Sequence, residues 1–347
     1  MHQMKRSHEI FGLKPSVSDL PLNWQQQLAQ AIRDPAELFQ RLKLDSSELD
    51  NSRLALQQFS LKVPLAYLRK IQPATPDDPL LLQVMAQASE MLEVDGYSRD
   101  PVGDLNAGKT PGLLHKYHGR VLLITTAACA IHCRYCFRRH FPYAESQAGR
   151  DQWSQAIEYI RNDASIREVI LSGGDPLILS DEKLDALINQ LEAIPHLSRL
   201  RLHSRLPVVL PDRITDGLLQ RLRDSRFDVC LVIHANHANE IQRDEIRALK
   251  KCQQAGIHLL NQAVLLRNIN HRPEQQIELS ERLYSAGVLP YYLHLLDPVQ
   301  GAAHFNVPLD EARGLMRQMR KRLPGFLMPR LVREISGESS KIPANEL

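Results

Sequence analysis

Three cysteines, Cys129, Cys133 and Cys136, lie within eight residues in the spacing C-x3-C-x2-C. Thiolates are soft ligands, so three of them can hold three corners of a metal site. Zinc and ordinary ferredoxin clusters normally take four protein ligands. Three thiolates on an iron–sulfur cubane leave one iron without a protein ligand, and that open iron can bind a substrate or a cofactor.

Other interpretations of these cysteines remain open. A structural zinc ion would use the three thiolates with His132 or His140 as its fourth ligand. The thiols could also be buried and inert, because free cysteine often packs in a core. A disulfide is not favoured, since the sparse and clustered cysteines are typical of a reducing compartment. The isolated Cys230 and Cys252 are predicted to be buried thiols.

Composition narrows the class of protein. The chain has 347 residues, of which 43% are hydrophobic and 24% charged, as in ordinary globular proteins. Its net charge of +3 gives no global basic field for nucleic acid. The sequence MHQMKRSHEIFG at the start lacks the apolar segment of a signal peptide, and no apolar run is long enough to cross a bilayer. We therefore expect a cytoplasmic protein.

Residues 1–110 are predicted to form a helical region followed by a linker. Apolar spacing indicates helices over Asn23 to Leu42, Leu54 to Ile71 and Leu80 to Leu92. Asp34-Pro35 divides the first of these, because aspartate caps a helix and proline suits its first position. Residues 95–114, rich in Gly, Pro and Asp, are predicted to be the linker.

Residues 111–326 show a different pattern, in which short apolar runs recur about every 30 residues with helical stretches between them. This alternation predicts a parallel sheet with helices outside, in the form of a partial (β/α)6 barrel. Residues 327–347 form a tail with one more strand-like run, Leu331–Ile335. The six runs are Val121–Thr126, Glu168–Ser172, Leu200–His203, Val229–His234, Leu259–Leu266 and Tyr291–Leu296.

The residues suited to chemistry follow these strands. In parallel α/β folds the active site lies at the carboxyl ends of the strands. The cysteines follow the first run, and the later runs end at Gly173-Gly174-Asp175, His203-Ser204-Arg205, His234 and Asp297. The cysteine spacing resembles the signature of radical S-adenosylmethionine (SAM) enzymes. In those enzymes the open iron of a [4Fe-4S] cluster binds SAM and reduces it to a 5′-deoxyadenosyl radical.

Further motifs resemble one family, the lysine 2,3-aminomutases, which also use pyridoxal 5′-phosphate (PLP). The short segment before Lys341 and the cysteine segment belong to this resemblance, which covers most of the chain after about residue 110. The other motifs are Leu114-His115-Lys116-Tyr117, LSGGDPL (Leu171–Leu177), HSRLPVVLP (His203–Pro211), HANHANE (His234–Glu240), NQAVLLRNIN (Asn261–Asn270) and PYYLHLLD (Pro290–Asp297).

The resemblance implies a role for each matching residue. Lys341 would hold PLP as a Schiff base, and Lys116 and Tyr117 would contact its phosphate. Arg138 would bind the substrate carboxylate, and Asp297 and Glu334 the side-chain ammonium. This chain has Lys116 and Glu334 where the family carries arginine and aspartate. The positions implied for SAM are Gly173, Gly174, Asp175, His234 and Gln262, with His203 and Arg205 as weaker candidates at the same mouth.

The implied reaction is the conversion of L-α-lysine to β-lysine by radical hydrogen abstraction and PLP-mediated 2,3-amino migration. The chain looks like the short bacterial form, which implies the R product, a functional link to elongation factor P and its β-lysine ligase, and a flavodoxin- or ferredoxin-type reductant. The alternatives are an aminomutase acting on another amino acid and a radical SAM enzyme modifying RNA. The latter rests on a pI of about 8.6 and the local run RYCFRRHF, without an RNA-binding module.

Overall fold

The computed structural model describes residues 22–143 and 153–347. The first 21 residues, where the sequence predicts no signal peptide, and residues 144–152 lie outside the described ranges. Within those ranges, no helix combines the length and the apolar character that a membrane span requires.

A ten-stranded mixed sheet forms the frame of the molecule, and its strand order follows the chain order. Strands β3 to β9 run parallel, whereas β1 and β2 at one end and β10 at the other pair antiparallel. The strands are β1 (Gly108–Thr110), β2 (Leu113–Tyr117), β3 (Arg120–Thr126), β4 (Glu168–Gly173), β5 (Arg199–Ser204), β6 (Asp228–Ile233), β7 (His258–Val264), β8 (Leu289–His294), β9 (Arg330–Arg333) and β10 (Ile342–Pro343).

Helices connect the parallel strands, so β3 to β8 are each followed by at least one helix. The prediction of a partial (β/α)6 barrel is confirmed. The helices are α1 (Trp24–Ala29), α2 (Pro35–Leu42), α3 (Ser47–Gln58), α4 (Leu65–Leu68), α5 (Ser154–Asn162), α6 (Asp181–Glu192), α7 (Leu206–Val209), α8 (Asp216–Arg223), α9 (Arg243–Gln254), α10 (Pro273–Ser285) and α11 (Leu309–Arg320).

The C-terminal tail adds two strands, β9 and β10, to the sheet. β9 pairs in parallel with β8, and β10 folds back antiparallel on β9. The sheet has two edges, β1 and β10, and side chains bridge the seam between them. Lys116 on β2 donates to Glu334, which directly follows β9, across 3.0 Å. Among the described residues, an ion pair rather than hydrogen bonds between strands joins the two edges of the sheet.

The N-terminal region is helical only in part. Asp34 caps α2 through the amide of Ala36 at 2.9 Å with Pro35 at the first position, as predicted. The predicted helix from Leu80 to Leu92 is wrong, because this segment forms turns and a short 3-10 helix. In this segment the carbonyl of Gln83 accepts a hydrogen bond from the amide of Arg134 at 2.9 Å. The backbone here therefore bonds to the cysteine loop rather than within a helix.

Two other stretches of this region differ from expectation. The helix predicted from Leu54 to Ile71 is interrupted, because α3 ends at Gln58 and Pro64 forces an extended approach to α4. Val63 there pairs with Ile32 as an isolated bridge. The predicted linker 95–114 contains β1 and the start of β2, so it belongs to the sheet.

A buried ion cluster joins the N-terminal region to the cysteine loop. Glu90 accepts from Arg134 Nε at 2.8 Å and from Arg139 Nη2 at 2.7 Å, and the side chains of Glu90 and Arg134 are fully buried. Removing one charge from such a cluster leaves the others uncompensated. We expect Glu90→Gln to lower the free energy of unfolding by about 3–5 kcal/mol in urea denaturation.

The matched control is Glu158→Gln, which removes a carboxylate from an exposed pair with Arg161. It should change the free energy of unfolding by less than about 1 kcal/mol. An equal decrease in the free energy of unfolding for the two variants would contradict a stabilising role of the buried cluster.

Candidate active site

One cavity of about 400 Å³ lies at the carboxyl ends of the strands. Every site residue implied by the sequence lines it. They are Lys116, Tyr117, Cys129, Cys133, Cys136, Arg138, Gly173, Gly174, Asp175, His234, Gln262, Asp297, Glu334 and Lys341. The fold therefore brings together residues that are spread over more than 220 positions in the chain.

The cysteine loop follows β3 and is held from the N-terminal region. The side chain of Lys62, in the N-terminal region, donates to the carbonyl of Cys129 at 2.6 Å. The amide of His132 donates to the carbonyl of Lys62 at 3.0 Å. These two contacts hold the backbone of the cysteine loop, whose three cysteines line the cavity.

The thiols are in a setting that disfavours free thiolates. Burial and the neighbouring Cys136 raise the pKa of Cys129 well above its usual value. Burial and Cys133 raise the pKa of Cys136 to about 11. A cationic iron centre would supply the compensating charge for three thiolates, and the three residues fit such a group.

The described residues offer no group of three or more His, Cys, Asp or Glu side chains close enough to hold a single metal ion. The zinc alternative therefore gains no support from the geometry.

The two glycines at the carboxyl end of β4, Gly173 and Gly174, allow the chain that follows β3 to approach closely. Gly173 has a φ of +114°, which side chains rarely adopt, and a Cβ there would collide with the carbonyl of Thr126. A Cβ at Gly174 would collide with the carbonyl of Ala128. The backbone contact that these glycines permit is thus with the cysteine loop itself, and their contact with SAM stays a prediction.

Asp175 connects the ends of two strands. Its Oδ1 accepts from Ser204 Oγ at 2.7 Å and from the Leu177 amide at 3.0 Å. Its Oδ2 accepts from the amides of Arg205 at 2.8 Å and Leu206 at 3.1 Å. Burial raises the pKa of Asp175 to about 6 despite these donors. The sequence predicts a SAM contact here, whereas the structure gives this carboxylate four partners within the protein.

A charge chain of five side chains crosses the cavity: Arg138, Asp104, Lys116, Glu334 and Lys341. Arg138 Nε donates to Asp104 at 2.7 Å, and Lys116 donates to Asp104 at 2.5 Å and to Glu334 at 3.0 Å. Lys341 donates to the other oxygen of Glu334. Burial opposes ionisation of Glu334, but Lys341 and Lys116 hold its pKa at about 2.

Asp104 was missed by the sequence reasoning, because it falls in the predicted linker. Only its position, shortly before the LHKY motif, could have drawn attention to it. Burial raises the pKa of Asp104, but the opposite effect of Arg138 and Lys116 is larger, so the pKa lies below its usual value. The carboxylate is charged at neutral pH and ties two of the predicted site cations together.

Several buried polar atoms near the charge chain have no hydrogen-bond partner among the described residues: Asp297 Oδ1, His203 Nε2 and His294 Nε2. All three residues line the cavity. Burial and the neighbouring Glu334 raise the pKa of Asp297 to about 7. Buried polar groups normally have partners, so these atoms are suited to a polar ligand.

His234 and Gln262, from the carboxyl ends of the neighbouring strands β6 and β7, lie side by side in the cavity. Their Nε2 atoms are 3.4 Å apart. Burial and then Arg205 lower the pKa of His234 to about 4, so the imidazole is neutral at physiological pH. A neutral imidazole next to an amide can hydrogen bond to a ligand without adding charge to the cavity, as a SAM contact would require.

Comparison with known proteins agrees with this site. The profile of the radical SAM superfamily matches residues 123–279. An L-lysine 2,3-aminomutase from Escherichia coli (strain K12) is 48% identical, covering 97% of each chain. The enzyme of that name from Haemophilus influenzae is 45% identical over 92% of this chain and 94% of its own. The enzyme from Clostridium subterminale is 34% identical over 98% of this chain and 81% of its own.

The chain belongs to the lysine 2,3-aminomutase family of radical SAM enzymes. It is accordingly an isomerase, and its family implies a [4Fe-4S] cluster and SAM as cofactors. The cysteines, lining the cavity on the loop after β3, are the residues of the chain that suit this cluster.

Proposed function

We propose that this protein converts L-α-lysine to β-lysine. The observation that carries the proposal is the arrangement of charge in one cavity. Arg138 suits a carboxylate, Asp297 and Glu334 suit a side-chain ammonium, and the three cysteines line the same space. A substrate with an acidic side chain would place like charges beside Asp297 and Glu334. The names of the relatives support lysine as the substrate.

We further propose that PLP is attached to Lys341. A cluster at the cysteines would supply the electron that cleaves SAM, and PLP would supply the π-system that carries the migrating amino group. Lys116 and Tyr117 are proposed to contact the phosphate. Lys116 is already paired with two carboxylates, but Arg120 lines the same cavity with its guanidinium 4.7 Å from the Tyr117 ring. Arg120 thus adds a cation on that side.

For the remaining residues, Gly173, Gly174, Asp175, His234 and Gln262 are proposed to surround SAM. Arg138 is oriented by Asp104 and by Ser172, whose Oγ lies 3.3 Å from Nη1. Lys341 is the proposed catalytic residue, because it would release PLP to the substrate and take it back after each turnover. Its ion pair with Glu334 holds its ammonium at the place where a substrate ammonium would be bound.

We propose that the product is the R enantiomer and that it is used, through a β-lysine ligase, to modify elongation factor P. The resemblance to the short bacterial form supports both statements. We also propose that the reaction takes place in the cytoplasm with a flavodoxin- or ferredoxin-type reductant, since an iron–sulfur cluster on free thiols needs a reducing compartment.

The test is an anaerobic assay of the protein purified with its cluster, supplied with L-lysine, SAM, PLP and a reductant. Chiral chromatography should detect β-lysine of one hand, and ligase added with elongation factor P should attach it. The Cys133→Ala variant should form none. Preferred turnover of another amino acid, or no product from lysine in protein that holds both cofactors, would refute the proposed function.

The proposed substrate contact makes a pH prediction. Asp297 has a pKa of about 7, so it loses its charge as pH falls through that value, whereas Glu334 stays ionised. We expect KM for lysine to rise about tenfold between pH 8 and pH 6. In Asp297→Asn, KM should already be high at pH 8 and change little with pH. A flat KM for the wild type over this range would contradict the contact.

A further inference from the structure

Arg205 is a buried arginine at the end of β5 whose position is fixed at its backbone. Its amide donates to Asp175 Oδ2 at 2.8 Å, and Asp175 also accepts from Ser204 Oγ on the preceding residue. Asp175, which follows β4, therefore holds the backbone of Arg205 in place. The residue is 7% exposed.

The guanidinium of Arg205 is fixed from two sides. Nη2 donates to Gln83 Oε1 at 2.7 Å and to Glu240 Oε2 at 2.8 Å. Glu240 is itself held by the amides of Asn236 at 2.8 Å and His237 at 3.1 Å. Because the guanidinium is planar and its donors are rigid, these bonds determine the direction of the other terminal nitrogen, Nη1.

Nη1 of Arg205 points at a cysteine sulfur. It lies 2.6 Å from Cys133 Sγ, too close for a water or a ligand atom to lie between them, and 2.6 Å from Tyr135 Oη. Cys136, by contrast, receives a backbone hydrogen bond from Arg138. Cys133 is thus distinguished, among the described contacts, by a charged side-chain donor.

We propose that Arg205 is a positioning residue for the iron–sulfur cluster, which orients Cys133 and raises the reduction potential of the cluster by donating to its sulfur. Hydrogen bonds to thiolate sulfur stabilise the more negative, reduced state of a cluster. Glu240 balances the charge of Arg205 on the side away from the sulfur. Arg205 therefore acts through Cys133.

This inference rests on the proposed function, in which Cys133 is a cluster ligand. The test is the midpoint potential of the cluster in the reconstituted protein, measured by electron paramagnetic resonance during a redox titration. The informative variant is Arg205→Gln combined with Glu240→Gln, because the pair stays neutral while the charged donor is lost. We expect a tenfold lower ratio of reduced to oxidised cluster at fixed potential, a shift of about 59 mV to more negative values.

Three further variants make the result specific. Glu240→Gln alone keeps the donor and removes a negative charge, so its potential should become less negative. Arg205→Lys keeps a charge but cannot reach both Cys133 and Glu240, so its potential should become more negative, and it replaces the double variant if that fails to fold. The matched control is Arg213→Gln, another buried arginine, which donates to the carbonyls of Leu177 and Leu179 and should leave the potential unchanged.

The outcomes separate the two proposals. A wild type that binds no iron–sulfur cluster would refute the proposed function. A wild type with a cluster, together with Arg205 variants of full iron content and unchanged potential, would overturn the role of Arg205 alone.

Discussion

Replacing Lys341 with alanine should abolish covalent attachment of PLP and lower turnover of lysine by roughly 10³-fold or more. Lys341 lies between β9 and β10, lines the cavity and is paired with Glu334, and it is the amine that we propose to bind the cofactor aldehyde. Borohydride reduction followed by peptide mass spectrometry should place a pyridoxyl group on Lys341 in the wild type and on no lysine in the variant. Iron and sulfide content should be the same in both.

Lys116→Ala is the matched control for this experiment. Lys116 contacts the same carboxylate, Glu334, but it also donates to Asp104 and to the carbonyl of Val102 at 2.9 Å. Lys116 is proposed to contact the PLP phosphate without forming the Schiff base, so at saturating PLP its variant should retain the pyridoxyl label on Lys341. A label that persists in Lys341→Ala, or that disappears only in Lys116→Ala, would reverse the assignment.

Replacing Asp104 with asparagine should lower kcat/KM for lysine by about 10²–10³-fold. Asp104 binds Arg138 and Lys116 together, and its side chain is almost fully buried. Removing one partner from a buried ion pair leaves the charge of Arg138 uncompensated. The expected decrease corresponds to a loss of about 3–4 kcal/mol of transition-state binding, since each 1.36 kcal/mol is tenfold in rate. Because Arg138 is the proposed carboxylate ligand, we expect a raised KM as well as a lowered kcat in steady-state assays.

Asp163→Asn makes the same chemical change at the surface, where the carboxylate bonds to Ser165. Its kcat/KM should equal that of the wild type. Iron and PLP content of Asp104→Asn should be measured alongside, so that a loss of cofactor is distinguished from a loss of orientation. A wild-type kcat/KM in Asp104→Asn would show that Arg138 needs no fixed partner.

The sequence predicted the barrel because the signals of its strands are local. Short runs of Val, Ile and Leu at intervals of about 30 residues identify βα units, and β3 to β8 match them within a few residues. Segment 80–92 was mispredicted for the opposite reason. Leu80, Leu81 and Val84 are all fully buried, so the apolar spacing reflects immersion in the core rather than one face of a helix.

The site residues were predicted to different extents. The cysteines and the strand-end residues could be found because parallel strands deliver their carboxyl ends to one edge. Lys341 was predicted only because the chain resembles a family, since a lysine near a terminus does not by itself indicate a functional site. Asp104 was missed because its partners, Lys116 on β2 and Arg138 after β3, are brought to it only by the fold.

By itself, then, the sequence determined the order of the six strands β3 to β8 and the helices between them, the cysteine group and the set of residues at the strand ends. Only the tertiary structure decided which charges pair. Glu334 pairs with Lys116, which is 218 residues away in the sequence, and Arg205 contacts Cys133, which is 72 residues away. Local patterns act over a few residues, whereas ion pairs depend on which strands the sheet makes neighbours and on which side chains it removes from water.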